Sequence, residues 1–341
     1  MAVISNCAIA ADLAVAGKKA KYDSYIKNIL SNKSILAWIL KFTTDEFRDF
    51  DIVEIVECIE NPEIGSAAVN PGYGSYEKVI GLKNEDKVPN EGGVVYDIRF
   101  NVYKPVNSYD KENVPKENIK LIINVEAQKN FYPGYNIVAR AIFYCARLLS
   151  AQMGTEFTAK NYDDIKKVYS IWICMDTNRE SENTITSYEI QPRSLYGDVR
   201  NFQGCDLLRA VMVCLGNNVE GCYNEEKDGG AILLNLLSTI VNDKIQVSEK
   251  LRILKEEYSI ETTKGIREEM ADMCNLSDAI EQRGIELGMQ HGIQRGEAVK
   301  LCELVDGFVK RNAVTIEKAC DMMGVSVSEY NDAKKLLDIG M

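Results

Sequence analysis

Histidine is almost absent from this chain, which has a single one, His291, among 341 residues. None of the ten cysteines belongs to a Cys-x-x-Cys pair. These absences exclude zinc fingers and histidine-rich metal sites, because structural zinc needs clustered cysteine and histidine ligands. Several cysteines (Cys145, Cys174 and Cys214) lie within apolar segments, where a free thiol behaves as a small hydrophobic group. This usage is typical of a reducing compartment, so we expect a cytoplasmic protein.

Long apolar segments and an excess of positive charge are also missing. No apolar run approaches the length that spans a bilayer, so we expect no membrane partner. The apolar residues 8–17 contain Asp12 and have their lysines after them, which argues against a secretory signal. The net charge is -11. Contact with nucleic acid would therefore require a local basic patch, because the overall charge repels phosphate.

Two segments, 94–103 and 121–129, alternate apolar and polar residues, which predicts half-buried β-strands. The polar side of the first carries Asp97, and that of the second carries Glu126 and Gln128. If the strands are neighbours, Asp97 and Glu126 project from the same side of one sheet. Two such carboxylates can share a hard divalent cation, a common catalyst of phosphodiester cleavage. From spacing alone, a solvated sheet face is the alternative interpretation.

The surroundings of these carboxylates favour the metal site. The second segment is so apolar that we expect burial on both faces, where polar groups need partners that a hydrated cation would supply. A helix predicted over 135–152 also presents Arg140, Tyr144 and Arg147 on one side. Cationic and aromatic side chains at this spacing suit phosphate, although a surface face that pairs with local acids remains the alternative.

The order of the predicted elements indicates an α/β fold. Two short helices within 22–47, broken near Asn32, precede the two strands and the helix. Further strands follow near 168–175, 188–190 and 210–215, and then a helical segment over 231–258 with an interruption near Asn242. This order predicts a mixed central sheet flanked by helices. We expect this domain to occupy 1–274, and a helical C-terminal extension to occupy 275–341.

Glycine recurs at every fourth position in the extension, at Gly284, Gly288, Gly292 and Gly296. Each glycine destabilises a helix by up to about 1 kcal/mol relative to alanine. The sequence therefore predicts either close approach by another helix or chain, which would make a homodimer through this tail, or a weakly helical linker. Two short helices joined at Gly324 then resemble a helix-turn-helix. A small helical cap or dimerisation piece is favoured over DNA binding, because the second helix is not basic.

The order of these residues resembles a known group of enzymes. Asp97, then Glu126-Ala127-Gln128, then a helix carrying Arg140 and its tyrosines, resembles the PD-(D/E)XK nuclease superfamily. More narrowly, the runs 124–135 and 163–173 and the glycine tail are similar to the recombination-promoting nuclease family, also labelled PD-(D/E)XK nuclease family transposase. The resemblance extends over about 22–295. The general motif is short, and the run around Glu126 is more specific.

The resemblance implies a restriction-endonuclease-like core that hydrolyses DNA with magnesium, or with manganese, in association with mobile elements or recombination. It implies that Asp97 and Glu126 bind the metal through their carboxylates, and Ala127 through its backbone carbonyl. The superfamily has a lysine where this chain has Gln128, although glutamine is usual in the narrower family. Glutamine can orient water, but it cannot act as a general base or carry positive charge.

Other positions could complete such a site. Alternation places Lys129 on the opposite sheet face from Gln128, so a helper lysine would have to come from elsewhere. An upstream acid often completes sites of this superfamily, and Asp23 and Glu46 are the candidates. Besides a metal-dependent DNA endonuclease, two functions stay open. One is a catalytically weak or inactive protein that keeps the nuclease fold and binds DNA or oligomerises; in the other, the carboxylates are structural and the partner is a protein.

Overall fold

The computed structural model describes residues 20–60, 63–64, 85–86, 94–104, 119–197, 206–216, 229–312 and 314–338. The chain divides into two compact units, which are the described residues of Ala16–Asn275 and those of Leu276–Met341. The first unit contains a mixed sheet flanked by helices, and the second is helical, so the predicted α/β class with C-terminal helices is confirmed. None of the described helices is both long and apolar enough to cross a bilayer.

The sheet of the first unit has parallel strands at its centre and antiparallel strands at its edges. The described strands are β1 (Glu63–Ile64), β2 (Glu85–Asp86), β3 (Val94–Val95), β4 (Ile98–Lys104), β5 (Ile119–Asn130), β6 (Lys167–Asp176), β7 (Thr184–Glu189) and β8 (Leu208–Cys214). Their order in the sheet is β1-β4-β5-β6-β8-β7, in which β5, β6 and β8 are parallel. A separate antiparallel pair is formed by β2 and β3.

The described part of this unit contains the helices α1 (described over 20–30), α2 (Lys33–Thr43), α3 (Ile52–Cys58), α4 (Ile137–Ser150), α5 (Gly229–Val241) and α6 (Val247–Glu256). Asn32 separates α1 from α2, because its side-chain oxygen accepts hydrogen bonds from the backbone N–H groups of Ser34 and Ile35. The predicted break near Asn32 is thereby confirmed.

The two faces of the sheet pack against different helices, because successive side chains of a strand point to opposite faces. On one face, Ile123 and Val125 of β5 pack with α1, α2, α5 and α6. On the other face lies α4, whose apolar side buries isoleucine and leucine at about 1.5–3 kcal/mol each. The core residues of this second face, called the α4 cluster below, are Val94, Tyr96, Ile122, Ile137, Ala141, Tyr144, Cys145, Leu148, Val168, Trp172, Cys174, Ala210, Met212 and Cys214.

The first of the two predicted strands is not continuous. Its residues divide between β3, which pairs with β2, and β4, which pairs with β5. Tyr96 packs against Tyr144 in the α4 cluster, with ring centroids 5.4 Å apart, and the chain bends at Asp97. The expected solvent-facing side of this strand is also wrong. Arg99 and Asn101 are buried: the Arg99 guanidinium lies 5.6 Å from the ring centroid of Tyr96, and the Asn101 amide donates to Oε2 of Glu60 at 2.7 Å.

The second unit contains most of a long helix and two short ones. Helix α7 (Lys264–Asn312) begins in the first unit and is helical throughout the glycine repeat. Side chains built at Gly288, Gly292 and Gly296 would meet nothing within 4 Å in the described structure. Helices α8 (Ile316–Met323) and α9 (Val327–Asp338) lie in the predicted segments, joined at Gly324, whose φ of 71° favours glycine.

Candidate functional site

Two reciprocal hydrogen bonds join Asp97 to β5 at the point where β4 begins. The register of β4 and β5 reaches Ile98 opposite Val125, and β5 continues beyond this pair to Asn130. The backbone N–H of Asp97 donates to Oε1 of Glu126 at 3.1 Å. The backbone N–H of Ala127 donates to Oδ2 of Asp97 at 3.0 Å. The Asp97 carboxylate thus accepts the hydrogen bond from the Ala127 N–H that the backbone of a longer β4 would have accepted. The bend at Asp97 brings the two carboxyl groups together.

Glu126 lies in a buried position with too little compensating charge. Its side chain is 3% exposed, and its partner in the parallel register of β6 is Trp172. Burial, and then the negative charge of Asp97, raise the pKa of Glu126 to about 8, against smaller lowering effects that include Arg140 and Asn124. Burial also raises the pKa of Asp97. The two acids therefore form a site that a nearby cation would stabilise.

A lysine from α1 supplies one such positive charge. Nζ of Lys27 lies 2.8 Å from Oδ1 of Asp97 and 2.6 Å from Oδ2 of Asp23, one helical turn earlier. Burial lowers the pKa of Lys27, but Asp97 and Asp23 together raise it above its ordinary value, so the ammonium stays protonated. The arrangement links α1, which packs on one face of the sheet, to the bend before β4.

An arginine from the opposite face is held by aromatic residues. Helix α4 begins after Asn136, whose side chain caps it by accepting from two backbone N–H groups. One turn later, the guanidinium of Arg140 donates to the Tyr144 hydroxyl at 2.7 and 3.2 Å, and to the Tyr135 hydroxyl at 2.6 Å. It also lies 5.2 Å from the ring centroid of Trp172. Burial lowers the pKa of Arg140, but the hydrogen bond to Tyr144 and the neighbouring groups, Glu126 among them, raise it overall, so Arg140 is fixed as a cation beside Glu126.

The structure separates the remaining candidates. Of the two upstream acids, Asp23 lies at the site through Lys27. Glu46 instead bonds Lys167 and the Tyr169 hydroxyl, near the amino end of β6. Arg147 is only 5% exposed, so its guanidinium is not on a surface that nucleic acid could contact. The expected phosphate-binding side of α4 therefore reduces to Arg140, with Tyr144 positioning it.

Gln128 and Lys129 lie beyond Glu126 on β5. Gln128 shares the strand face of Glu126 by alternation, is partly exposed and pairs in register with Cys174 of β6. Lys129 places its ammonium 5.2 Å from the ring centroid of Tyr22 on α1, so its expected orientation toward the other sheet face is confirmed. The motif position thus carries an uncharged side chain, and the nearby charge comes from Lys27.

Two residues of the site were not found by the sequence reasoning. Lys27 follows Asp23 by four residues on a helix whose other side buries Ile26 and Leu30, so an ion pair within the helix was foreseeable. Its contact with Asp97 joins residues 70 positions apart and has no local signal. The sequence pattern around Trp172 predicts only a buried apolar strand. Its position beside Glu126 depends on the parallel register of β5 and β6.

The donor set fits a hydrated hard cation, although the ligands are few. Within the described ranges, no group of three or more histidine, cysteine, aspartate or glutamate side chains is placed to hold a metal. Magnesium needs fewer, because it keeps several waters and binds through one or two carboxylates and substrate phosphate. Asn124, buried two residues before Glu126, also has a side-chain oxygen without a hydrogen-bond partner among the described atoms. A bound water could satisfy that oxygen.

Comparison with protein-family models, with curated proteins and with solved structures finds no match for this chain. The functional argument therefore starts from the geometry of the paired carboxylates and the two cations beside them.

Proposed function

We propose that the protein is a metal-dependent DNA endonuclease with a restriction-endonuclease-like core, associated with mobile elements or recombination. One observation carries the proposal: the Asp97 and Glu126 carboxyl groups meet at a break between two strands, with Lys27 and Arg140 on either side. The site lies toward the carboxyl ends of the parallel strands β5 and β6, where open α/β sheets usually bind ligands.

Asp97, Glu126 and the backbone carbonyl of Ala127 would hold magnesium or manganese. When bound, the metal polarises the scissile phosphate and lowers the pKa of the attacking water. Glu126 must lose its proton to serve as a ligand. Its pKa of about 8 without metal means that metal binding and proton release are coupled. Gln128, on the same strand face, would orient the attacking water through its amide group.

Arg140 and Lys27 would both contact phosphate oxygens of the DNA. Arg140 has five N–H donors, and its bonds to Tyr135 and Tyr144 use three of them. The donors that remain can bind a phosphate oxygen, and the tyrosines keep the guanidinium from moving when charge develops. Lys27 supplies the positive charge that Gln128 lacks. Its ammonium would exchange the Asp97 oxygen for a phosphate oxygen when Asp97 binds the metal.

A second function is favoured by the same ion pair. If Lys27 stays bound to Asp97, the ammonium takes the place that a metal would need, and the chain keeps the nuclease fold without cleavage. Such a protein would bind DNA or oligomerise without hydrolysing it. The absence of a lysine at Gln128 is consistent with this outcome.

Plasmid nicking distinguishes the two. We expect the purified protein to nick supercoiled DNA with magnesium or manganese and not with a chelator. Glu126→Ala should abolish nicking. Glu46→Gln is the matched control, because Glu46 is also a partly buried, hydrogen-bonded acid but lies near the amino end of β6. Equal nicking by wild type and Glu126→Ala would refute the site, and absent nicking by folded wild type would favour the non-catalytic protein.

A further inference from the structure

The loop between β5 and α4 exposes two tyrosines next to the site. Tyr132 is 66% exposed and Tyr135 is 49% exposed, while Phe131 between them and the strand packs against the α4 cluster. Exposed aromatic rings lose hydrophobic stabilisation unless something covers them. Two such rings on one short loop, following the strand that carries Glu126, therefore define a surface suited to a flat apolar partner.

Both rings are fixed in position by their hydroxyl ends. The Tyr132 hydroxyl accepts a hydrogen bond from the Asn178 amide at 3.1 Å, and its ring meets that of Phe131 edge to face with centroids 4.9 Å apart. Phe131 is itself tied to β6 through its backbone N–H, which donates to the carbonyl of Asp176 at 3.1 Å. The loop presents ring surface that is already ordered, so stacking on it loses little conformational entropy.

Tyr135 connects this surface to the proposed phosphate contact. Its hydroxyl accepts from Arg140, and Arg140 lies over Trp172, the register partner of Glu126. A nucleotide whose phosphate is bound by Arg140 would therefore have its base, or the neighbouring base, within reach of the tyrosine rings. The preceding glycine, Gly134, has a φ of 94°, a backbone conformation that lets the loop turn back toward α4.

We propose that Tyr132 and Tyr135 form a stacking platform for unpaired bases, so that the preferred substrate is DNA that is single-stranded beside the scissile phosphate. The proposal rests on the proposed function for the phosphate contact at Arg140. Bases in a duplex are stacked on each other and cannot offer their faces to a tyrosine, whereas every unpaired base can. The platform would discriminate by base pairing, with little dependence on base sequence.

The charge of the chain leads to a second expectation for the same surface. With a net charge of -11, binding cannot depend on general attraction to phosphate. If Arg140 and Lys27 make the phosphate contacts, the logarithm of the binding constant should fall with the logarithm of salt concentration with a slope of about -1.4, since each neutralised phosphate of a single strand contributes about -0.7. Proteins that track many phosphates give much steeper slopes.

Fluorescence anisotropy of a labelled oligothymidylate, with calcium replacing magnesium to prevent cleavage, tests the platform. We expect the single strand to bind more tightly than a duplex of equal length. Tyr132→Ala should weaken single-strand binding by about 5- to 150-fold, the effect of losing one stacked base. Tyr132→Trp should restore it. Tyr162→Ala is the matched control, since Tyr162 is also an exposed tyrosine but precedes the amino end of β6.

Each other outcome decides between the inference and the function on which it rests. Equal binding of single strand and duplex, unchanged binding by Tyr132→Ala, or no binding by wild type would overturn the platform. Plasmid nicking that is lost in Glu126→Ala would leave the nuclease standing in those cases. Conversely, single-strand binding that depends on Tyr132, without cleavage of either plasmid or single-stranded DNA under any metal, would keep the platform and refute the nuclease.

Discussion

Nζ of Lys27 lies 2.8 Å from Oδ1 of Asp97, and this contact joins the first helix to the bend before β4. In the nuclease function that we propose, the motif has its lysine two residues after the glutamate, where this chain has Gln128. We propose that Lys27 of α1 supplies, from a different element, the ammonium that β5 lacks. Burial lowers the pKa of Lys27, but Asp97 and its helix partner Asp23 together raise it above its ordinary value, so the ammonium stays protonated.

Removal of Lys27 tests its role directly. We expect Lys27→Ala to reduce metal-dependent nicking by roughly 100-fold, as loss of one preorganised charge or donor does in other active sites. Gln128 shares the strand face of Glu126, so the double variant Lys27→Ala/Gln128→Lys should recover part of that activity. Lys120→Ala is the control, because Lys120 pairs with Glu156 at 2.6 Å near the start of β5. Undiminished nicking by Lys27→Ala would show that this lysine only stabilises the fold.

Glu126 should make stability depend on pH. Its pKa rises from 4.5 in the unfolded chain to about 8 in the folded protein, so the folded state binds the proton more tightly. The free energy of unfolding is therefore highest below about pH 4.5 as far as this group is concerned, and falls as pH increases toward about 8. Glu126→Gln, which cannot ionise, should lose less stability over that range.

Urea denaturation at pH 5 and at pH 8, without metal, measures this effect. Glu269 has a pKa raised by burial to about 7 and adds a slope of the same sign. The relevant quantity is therefore the difference between wild type and Glu126→Gln. Identical losses of stability in the two proteins would mean that Glu126 is not protonated in the folded state near neutral pH.

DNA binding should depend more on the shape of the side chain at position 140 than on its charge. Lysine keeps the charge but cannot bond both tyrosine hydroxyls in the geometry of a guanidinium. We expect Arg140→Lys to weaken DNA binding by about tenfold, the equivalent of one charge-assisted hydrogen bond. Arg147→Lys, at a buried position on the same helix, should lower thermal stability and leave DNA affinity unchanged. If Arg147→Lys weakened DNA binding and Arg140→Lys lowered only thermal stability, the phosphate contact would belong to Arg147 and our assignment would be wrong.

Helix α7 leads to a prediction about self-association. Gly288, Gly292 and Gly296 have open space around them, and Ile285, Met289 and Ile293 beside them are exposed. A second copy of the helix could approach closely along the glycines and cover these apolar side chains. We expect a homodimer by light scattering, weakened by Gly288→Leu. Gln290→Leu, about 200° around the helix, should have no such effect. A monomeric wild-type protein would contradict this prediction.

Local periodicity was sufficient for much of this architecture. The alternation in 121–129 predicted β5, and the apolar spacing after Asn136 predicted α4, because each pattern follows from the geometry of one element. The neighbourhood of Asp97 and Glu126 was also inferred from sequence. The predicted reason is only partly right: alternation on two neighbouring strands predicts the pair, whereas a bend and two hydrogen bonds at Asp97 bring the groups together.

Only the tertiary structure decided which other groups join the two acids. Lys27 contacts Asp97 from a helix on one face of the sheet. Trp172 lies beside Glu126 because of the parallel register of β5 and β6, and Arg140 packs over Trp172. Arg147 is buried and is therefore not available to bind DNA. Local sequence periodicity cannot predict these contacts, because they join residues far apart in the chain when the helices pack on the sheet. The sequence by itself determined most of the helices and strands and indicated the pair of carboxylates, and the packing determined the charge that surrounds them.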